Sequence, residues 1–336
     1  MRRFVRYLLS IIATAFMLIM VACQQELVFD GPCEVRFVAE VQNEVNVTRA
    51  TDGYTALPYS ADFNAGLYVS YGATAQPYTM SWVNNSKLSA NLWLETGDYK
   101  FYGYAPQQDG ASFDNTNKTL TIRNIPGLSD KDMLVINPCS ATVTSAELGG
   151  TKTVSLQMDH LMAKITPYFY INSTYNNLRE IEIKSVKFTL EDSKTFQANV
   201  TYNDNNLSYT TTWEASVSTS VQEIPLFKDN SNTINFLTTS STGAQSYGQC
   251  YIVPSQNGQD ITNLKMTVTY DVYDKKQQRV RENETATNKV VVKVNSTTKT
   301  KLEAGKNYKL NIQIIPTYLY VLSDNDESSV LVISNN

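Results

Sequence analysis

Apolar and polar residues alternate with a period of two through most of this chain, the mark of strands with one buried face and one wet face. The first such stretch is residues 34–47, where Val35, Phe37, Ala39 and Val41 interleave with Arg36, Val38, Glu40 and Gln42. Leu67, Val69 and Tyr71 repeat the pattern, as do Tyr99, Phe101 and Gly103, then Leu120 and Ile122, then Val154, Leu156 and Met158. Clusters of Gly, Pro, Asn and Asp separate them at Asn84-Asn85, residues 107–110, residues 124–127 and Gly149-Gly150. That punctuation fits a β-sandwich with long connections. No helical period persists over a useful length: the β-branched run Thr142, Val143, Thr144 lowers helix propensity, leaving room for one helical turn at residues 145–148.

A second series begins near Met158. Ala163, Ile165, Pro167, Phe169 and Ile171 share one face, with Pro167 arguing for an edge or a bulge because it has no N–H to give a ladder. Ile181 and Ile183 are followed by Val186, Phe188 and Leu190. The phase slips by one residue at Lys184-Ser185, which predicts a β-bulge. Leu264, Met266, Val268, Tyr270 and Val272 form the cleanest strand, turning through Asp274-Lys275-Lys276-Gln277 into residues 279–282 as a hairpin. Val290, Val292 and Val294, then Tyr308, Leu310, Ile312 and Ile314, complete the series. The pattern predicts two all-β domains with a boundary near residue 157. Beyond Pro316, Tyr318, Tyr320 and Leu322 form one short apolar run, and Val330, Val332 and Ile333 form another. Chain ends are usually polar and frayed, so this one reads either as a closing hairpin of the second sheet or as a strand kept for another use.

The N-terminus changes the picture. Arg2, Arg3 and Arg6 precede an apolar and small-residue run over residues 8–22 that ends at Cys23. The run is too short to span a bilayer, which takes roughly 20 apolar residues, and it reads as an export leader over residues 1–22. Met20-Val21-Ala22-Cys23 resembles a lipobox, in which the Cys23 thiol is acylated and becomes the new N-terminus. Arg49 lies in a polar stretch closed by Asp52-Gly53, where a trypsin-like protease could cut and leave Ala50 first. The alternation within residues 34–47 predicts that the intervening segment, 23–49, holds a place in the folded precursor.

Composition narrows the chemistry. Lys and Arg number 28 against 32 Asp and Glu, a net charge of −4, with no basic block beyond the leader, so nucleic acid is not an expected partner. The chain holds 336 residues, enough for two domains at about 150 each. With Cys23 acylated, Cys33, Cys139 and Cys250 remain, an odd and widely spaced set that makes no disulfide framework. Cys139 and Cys250 read as buried small apolar residues, with a bridge between them as the alternative. His160 is the one histidine, which excludes His-rich metal sites; a hydrogen-bonded structural role is expected for it. No Gly-rich phosphate loop, nucleophile elbow or Cys-x-x-Cys pair occurs, so no enzyme, catalytic residue or cofactor is expected. Asp324-Asn325-Asp326-Glu327 lacks the spaced ligands of a calcium loop and reads as a solvated acidic turn, with no metal. Trp82, Trp93 and Trp213 are the candidates for stacking a sugar, though alternating aromatics more often pack strands.

Five segments together resemble the fimbrillin family of Bacteroidales, the FimA-like proteins of type V pili. They are the Cys23 leader, Val47-Thr48-Arg49-Ala50-Thr51, Tyr99-Lys100-Phe101-Tyr102-Gly103-Tyr104-Ala105-Pro106, Met158-Asp159-His160-Leu161-Met162-Ala163-Lys164-Ile165, and Leu302-Glu303-Ala304-Gly305-Lys306-Asn307-Tyr308. The resemblance implies two tandem β-sandwich domains of Greek-key, transthyretin-like type, spanning 50–157 and 158–316 after a pro-segment. It also implies a lipoprotein carried to the outer membrane, cut after the arginine matching Arg49, and joined to other fimbrial subunits by strand exchange. The residues supply a mechanism. Losing a strand formed by Val35, Phe37, Ala39 and Val41 would bare ladder groups and an apolar groove, a template for another strand. The extension 317–336, with Tyr318, Tyr320 and Leu322 or Val330, Val332 and Ile333, is the expected donor. The expected function is a pilus subunit or surface adhesin at the fimbrium and cell surface, touching a receptor or glycan. A glycan-binding surface lipoprotein or a non-polymerising anchor or tip subunit is the alternative.

Overall fold

The computed structural model describes residues 31–42, 45–46, 54–56, 63–82, 90–230, 233–254, 257–294, 297–315 and 330–334. Four sheets account for the strands among them. The first contains β1 (Cys33–Gln42), β3 (Tyr54–Ala56), β4 (Phe63–Tyr71), β5 (Thr74–Trp82), β6 (Leu92–Leu94), β7 (Gly97–Ala105), β11 (Leu134–Val143) and β12 (Thr151–His160). Its order is β3-β1-β12-β11-β7-β4-β5, with β6 on β1. The second contains β2 (Val45–Asn46), β10 (Leu128–Ser129), β13 (Ala163–Ile171), β16 (Gln245–Ser246), β17 (Cys250–Ile252), β22 (Lys306–Ile315) and β23 (Val330–Ser334). The third contains β8 (Ser112–Asp114), β9 (Thr119–Pro126), β14 (Glu180–Asn203), β15 (Ser208–Lys228), β18 (Leu264–Tyr273) and β19 (Arg279–Lys289). β20 (Val292–Val294) and β21 (Thr297–Lys299) pair alone. The all-β class expected from the alternation is what the chain adopts.

Each core follows from the period-two faces. Val35, Phe37, Leu67, Val69, Phe101, Leu156 and Met158 fill the core of the first sheet. The second and third sheets close on another, where Ile165, Phe169, Leu310 and Ile312 meet Val186, Phe188, Met266 and Val268. The phase slip at Lys184-Ser185 is a real irregularity: the β14/β18 register shifts between Ile183 and Ser185. Pro167 sits where the partners of β13 change from β17 to β16, and its carbonyl accepts the Tyr247 amide at 3.2 Å. The helical turn expected after Thr144 is a 3-10 turn, Ser145–Glu147, closed by a capping box between Thr144 and Glu147.

A third core was hidden from the alternation. Tyr102 and Tyr104 of β7 and Val135 of β11 point away from the first core and meet Leu120 and Ile122 of β9 and Phe196, Ala198 and Val200 of β14. Both faces of β7 are therefore buried, which is why its sequence reads as nearly continuous aromatics. Gly103 between them is forced by proximity, since a Cβ there would stand 2.4 Å from the Gly66 carbonyl oxygen of β4. The long strand β14 makes this contact possible: it pairs with β18 over residues 180–190 and with β9 over residues 195–201. At the turn between β14 and β15, Asp204 accepts from Tyr102 Oη and Lys100 Nζ, both at 2.7 Å. β8, β9 and β10 thus precede residue 157 in sequence yet join sheets built largely from later residues, and residue 157 itself lies inside β12.

Candidate functional site

β1 carries the candidate residues Val35, Phe37, Ala39 and Val41. It runs parallel to β12 from Glu34 opposite Thr151 to Val41 opposite Met158. Its other edge meets β6 at residues 33–35 and β3 at residues 40–42, so residues 36–39 have a ladder partner on one side only among the described residues. Val35, Phe37, Ala39 and Val41 are all buried, and Cys33 is buried with them. Phe37 lies edge-to-face on Phe101 with ring centroids 5.6 Å apart. Burying Val35, Phe37 and Val41 is worth about 1.5–3 kcal/mol each. The alternation over 34–47 located this strand, but not its parallel partner far along the chain.

The end of β1 is tied by His160, inside one of the resembling segments, and by Asp132, which no motif marked. Gln42 O accepts from His160 Nε2 at 2.9 Å, and His160 Nδ1 is hydrogen-bonded to the Asp132 carboxyl. Three residues further on, β2 belongs to the second sheet and runs parallel to β22, Val45 opposite Lys306 and Asn46 opposite Asn307. The neighbouring turn is held by Gly305, at φ +66° and donating its amide to Met162 O at 3.0 Å, and by the Glu303 amide donating to Tyr308 Oη at 3.1 Å. Residues 158–165 and 302–308, far apart in sequence, meet beside β2.

β23 lies antiparallel on β22, Ile312 opposite Ile333 and Ile314 opposite Leu331. Because β13 occupies the other edge of β22, β2 and β23 lie end to end along one edge. Val330, Val332 and Ile333 thus sit in a ladder of the second sheet. Cys23, Arg49, Ala50, Tyr318, Tyr320, Leu322 and the acidic turn at 324–327 lie outside the described residues.

The remaining candidates separate clearly. Trp82 and Trp213 are 8% and 5% exposed and pack on Phe63 and Phe196, as strand-packing aromatics do. Trp93 is 52% exposed. Cys33, Cys139 and Cys250 are free, so the bridge between Cys139 and Cys250 does not form. Burial pushes the Cys139 thiol up to about 12 and raises the Cys250 thiol as well. Among the described residues no cluster of three or more His, Cys, Asp or Glu is arranged to hold a metal ion, and no helix there is long and apolar enough to cross a membrane.

A sheet whose core is completed by a segment upstream of Arg49, and whose neighbour is edged by the chain's last strand, defines a β-structural protein. The chain belongs to the fimbrillin-like family, which it matches over residues 42–334. Membership makes it a pilus-related or adhesive protein of structural and not enzymatic kind. Solved structures similar to it include a protein assigned to cell adhesion from Bacteroides ovatus, at 13% identity over 91% of this chain and 97% of that one, with a TM-score of 0.47. Another is a fimbrial protein from Bacteroides vulgatus, at 14% identity over 90% and 98% of the two chains, TM-score 0.39. A third is the fimbrial anchor protein Mfa2 from Porphyromonas gingivalis, at 11% identity over 91% and 97%, TM-score 0.31. No curated protein matches the chain.

Proposed function

We propose that this chain is a fimbrial structural subunit, exported as a lipoprotein on Cys23 to the outer membrane, cut between Arg49 and Ala50, and polymerised with other fimbrial subunits by donor-strand exchange. One observation carries the reading: β1 lies upstream of Arg49, yet it supplies Val35, Phe37, Ala39 and Val41 to a core otherwise built from residues 65 onward. Cutting at Arg49 would take that strand away. The edge of β12 along residues 151–158 would lose its ladder, and the first core would open into an apolar groove.

An incoming strand would regain the ladder while its alternate side chains fill the groove, the donor-strand mode of recognition. The donor is the C-terminal extension of the next subunit, through Tyr318, Tyr320 and Leu322 or through Val330, Val332 and Ile333. Three such side chains buried at about 1.5–3 kcal/mol each, less the ordering cost, make a stable joint. To donate its own segment, β23 must leave β22; the same cut removes β2 from that edge. Head-to-tail contacts of this kind need not close, and then they build a fibre. On this reading residues 50–157 carry the accepting groove, and residues 158–316, joined by β8, β9 and β10, form the second sandwich.

The test is the N-terminus of the surface-exposed protein together with its polymer state. Ala50 on polymerised material supports a shaft subunit. Acylated Cys23 on that material would overturn the cutting step and favour an anchor.

A second reading, a glycan-binding surface lipoprotein, is favoured by the exposure of Trp93 on β6, beside Glu34 of β1. With Trp82 and Trp213 buried, fluorescence quenching by a polysaccharide would report on Trp93; saturable quenching abolished by Trp93→Ala would support it.

A further inference from the structure

His160 ends β12, with β1 on one side of that strand and β11 on the other. Its ring bridges the two neighbours. Nε2 meets Gln42 O, on the last residue of β1, and Nδ1 meets Asp132 Oδ2, two residues ahead of β11. The opposite oxygen, Asp132 Oδ1, accepts the Met133 amide at 2.8 Å, and Met133 O accepts the Leu161 amide at 2.8 Å. The His160 and Asp132 side chains are only 9% and 2% exposed. A backbone carbonyl can only accept, so Nε2 carries a proton. The Asp132 carboxyl lies against Nδ1 on the other side of the ring and fixes its orientation.

The position of this contact along the pro-segment gives it a consequence. A strand freed by cutting at Arg49 peels from its new end. It gives up β2, two residues long, then reaches Gln42, and only then enters the β1/β12 ladder. We propose that His160, oriented by Asp132, is a latch on the pro-segment, a positioning residue that holds the Gln42 end of β1 and sets the rate at which the groove opens. Its purpose rests on the donor-strand reading, but the hold on β1 can be measured in uncut protein without it.

The experiment compares the uncut precursor with its His160→Ala, His160→Gln and Asp132→Asn variants by amide hydrogen exchange, reading residues 35–42 against β18 as an internal control. Loss of the His160–Gln42 hydrogen bond predicts exchange of residues 35–42 faster by up to about tenfold in His160→Ala, with β18 unchanged. His160→Gln keeps an N–H for Gln42 O and should restore most of the protection. Asp132→Asn, which replaces the carboxyl that orients the ring, should fall between. After cutting by trypsin, release of the pro-segment should be faster in His160→Ala by a similar factor.

Equal exchange of residues 35–42 in the wild type and His160→Ala would overturn the latch. So would a parallel rise in β18, because His160 would then hold the core at large. The two readings fail separately: unchanged exchange with normal polymerisation removes the latch alone, whereas a latched strand whose release yields no polymer removes the donor-strand reading alone.

Discussion

Phe37, upstream of Arg49, packs edge-to-face on Phe101, downstream of it, with ring planes at 76°. The ring that completes the first core therefore belongs to the segment expected to be removed. In the uncut precursor Phe37→Ala should cost about 3–5 kcal/mol, as large aromatic truncations in cores do, read by chemical denaturation. A chain cut to begin at Ala50 would lack the residue, so its stability should not depend on this substitution. A loss below about 1 kcal/mol in the precursor would mean that β1 contributes little to the fold.

Arg49→Ala should leave a folded, lipidated precursor that does not polymerise. Immunoblotting for high-mass ladders and electron microscopy of the cell surface are the measurements. Normal filaments from this variant would end the reading that cutting after Arg49 starts assembly.

Removing residues 329–336 deletes β23 and nothing else among the described strands. The truncated protein should fold to a monomer that accepts a strand from wild-type subunits and cannot donate one, so it should cap growing fibres when mixed with them. Unimpaired assembly of the truncated protein alone would move the donor role to Tyr318, Tyr320 and Leu322 or remove it from the C-terminus altogether.

The thiols provide an internal clock for the departure of β1. Cys33 is buried in β1, and burial, with the nearby Glu147 carboxylate second, raises its pKa, so it should resist alkylation at neutral pH while the strand is in place. After cutting, Cys33 should react as the pro-segment leaves. Cys250, fully buried in the other core and raised by that burial, should stay silent throughout. Reaction of Cys250 in step with Cys33 would show global unfolding in place of strand release.

Several elements of this fold were readable in the chain because their causes are local. The alternation of Val35, Phe37, Ala39 and Val41 states that one face is buried, whatever covers it. The slip between Ile183 and Val186 required an extra residue in the ladder, and the register shift between Ile183 and Ser185 provides it. The apolar run from Phe101 to Ala105, by contrast, was read through one face only, because alternation assigns water to the other; β9 and β14 cover that other face with Leu120, Ile122 and Val200. His160 was expected to be a hydrogen-bonded structural residue, and it is; Asp132 and Gln42 carried no signal because one is an ordinary acid before a strand and the other acts through its backbone.

The sequence alone therefore determined the all-β class, an apolar face on strands such as β1, β12 and β18, and the slip in the β14 ladder, since these depend on the period of the pleat and on short-range composition. Only the tertiary structure decided that β1 lies inside a sheet beside β12, that β9 pairs with β14, and that β2 and β23 share one edge of β22. The physical reason is that backbone ladder groups are the same at every residue, so any strand can pair with any other. The choice falls to side-chain packing and buried polar partners contributed by residues more than a hundred positions away, as His160 is from Gln42.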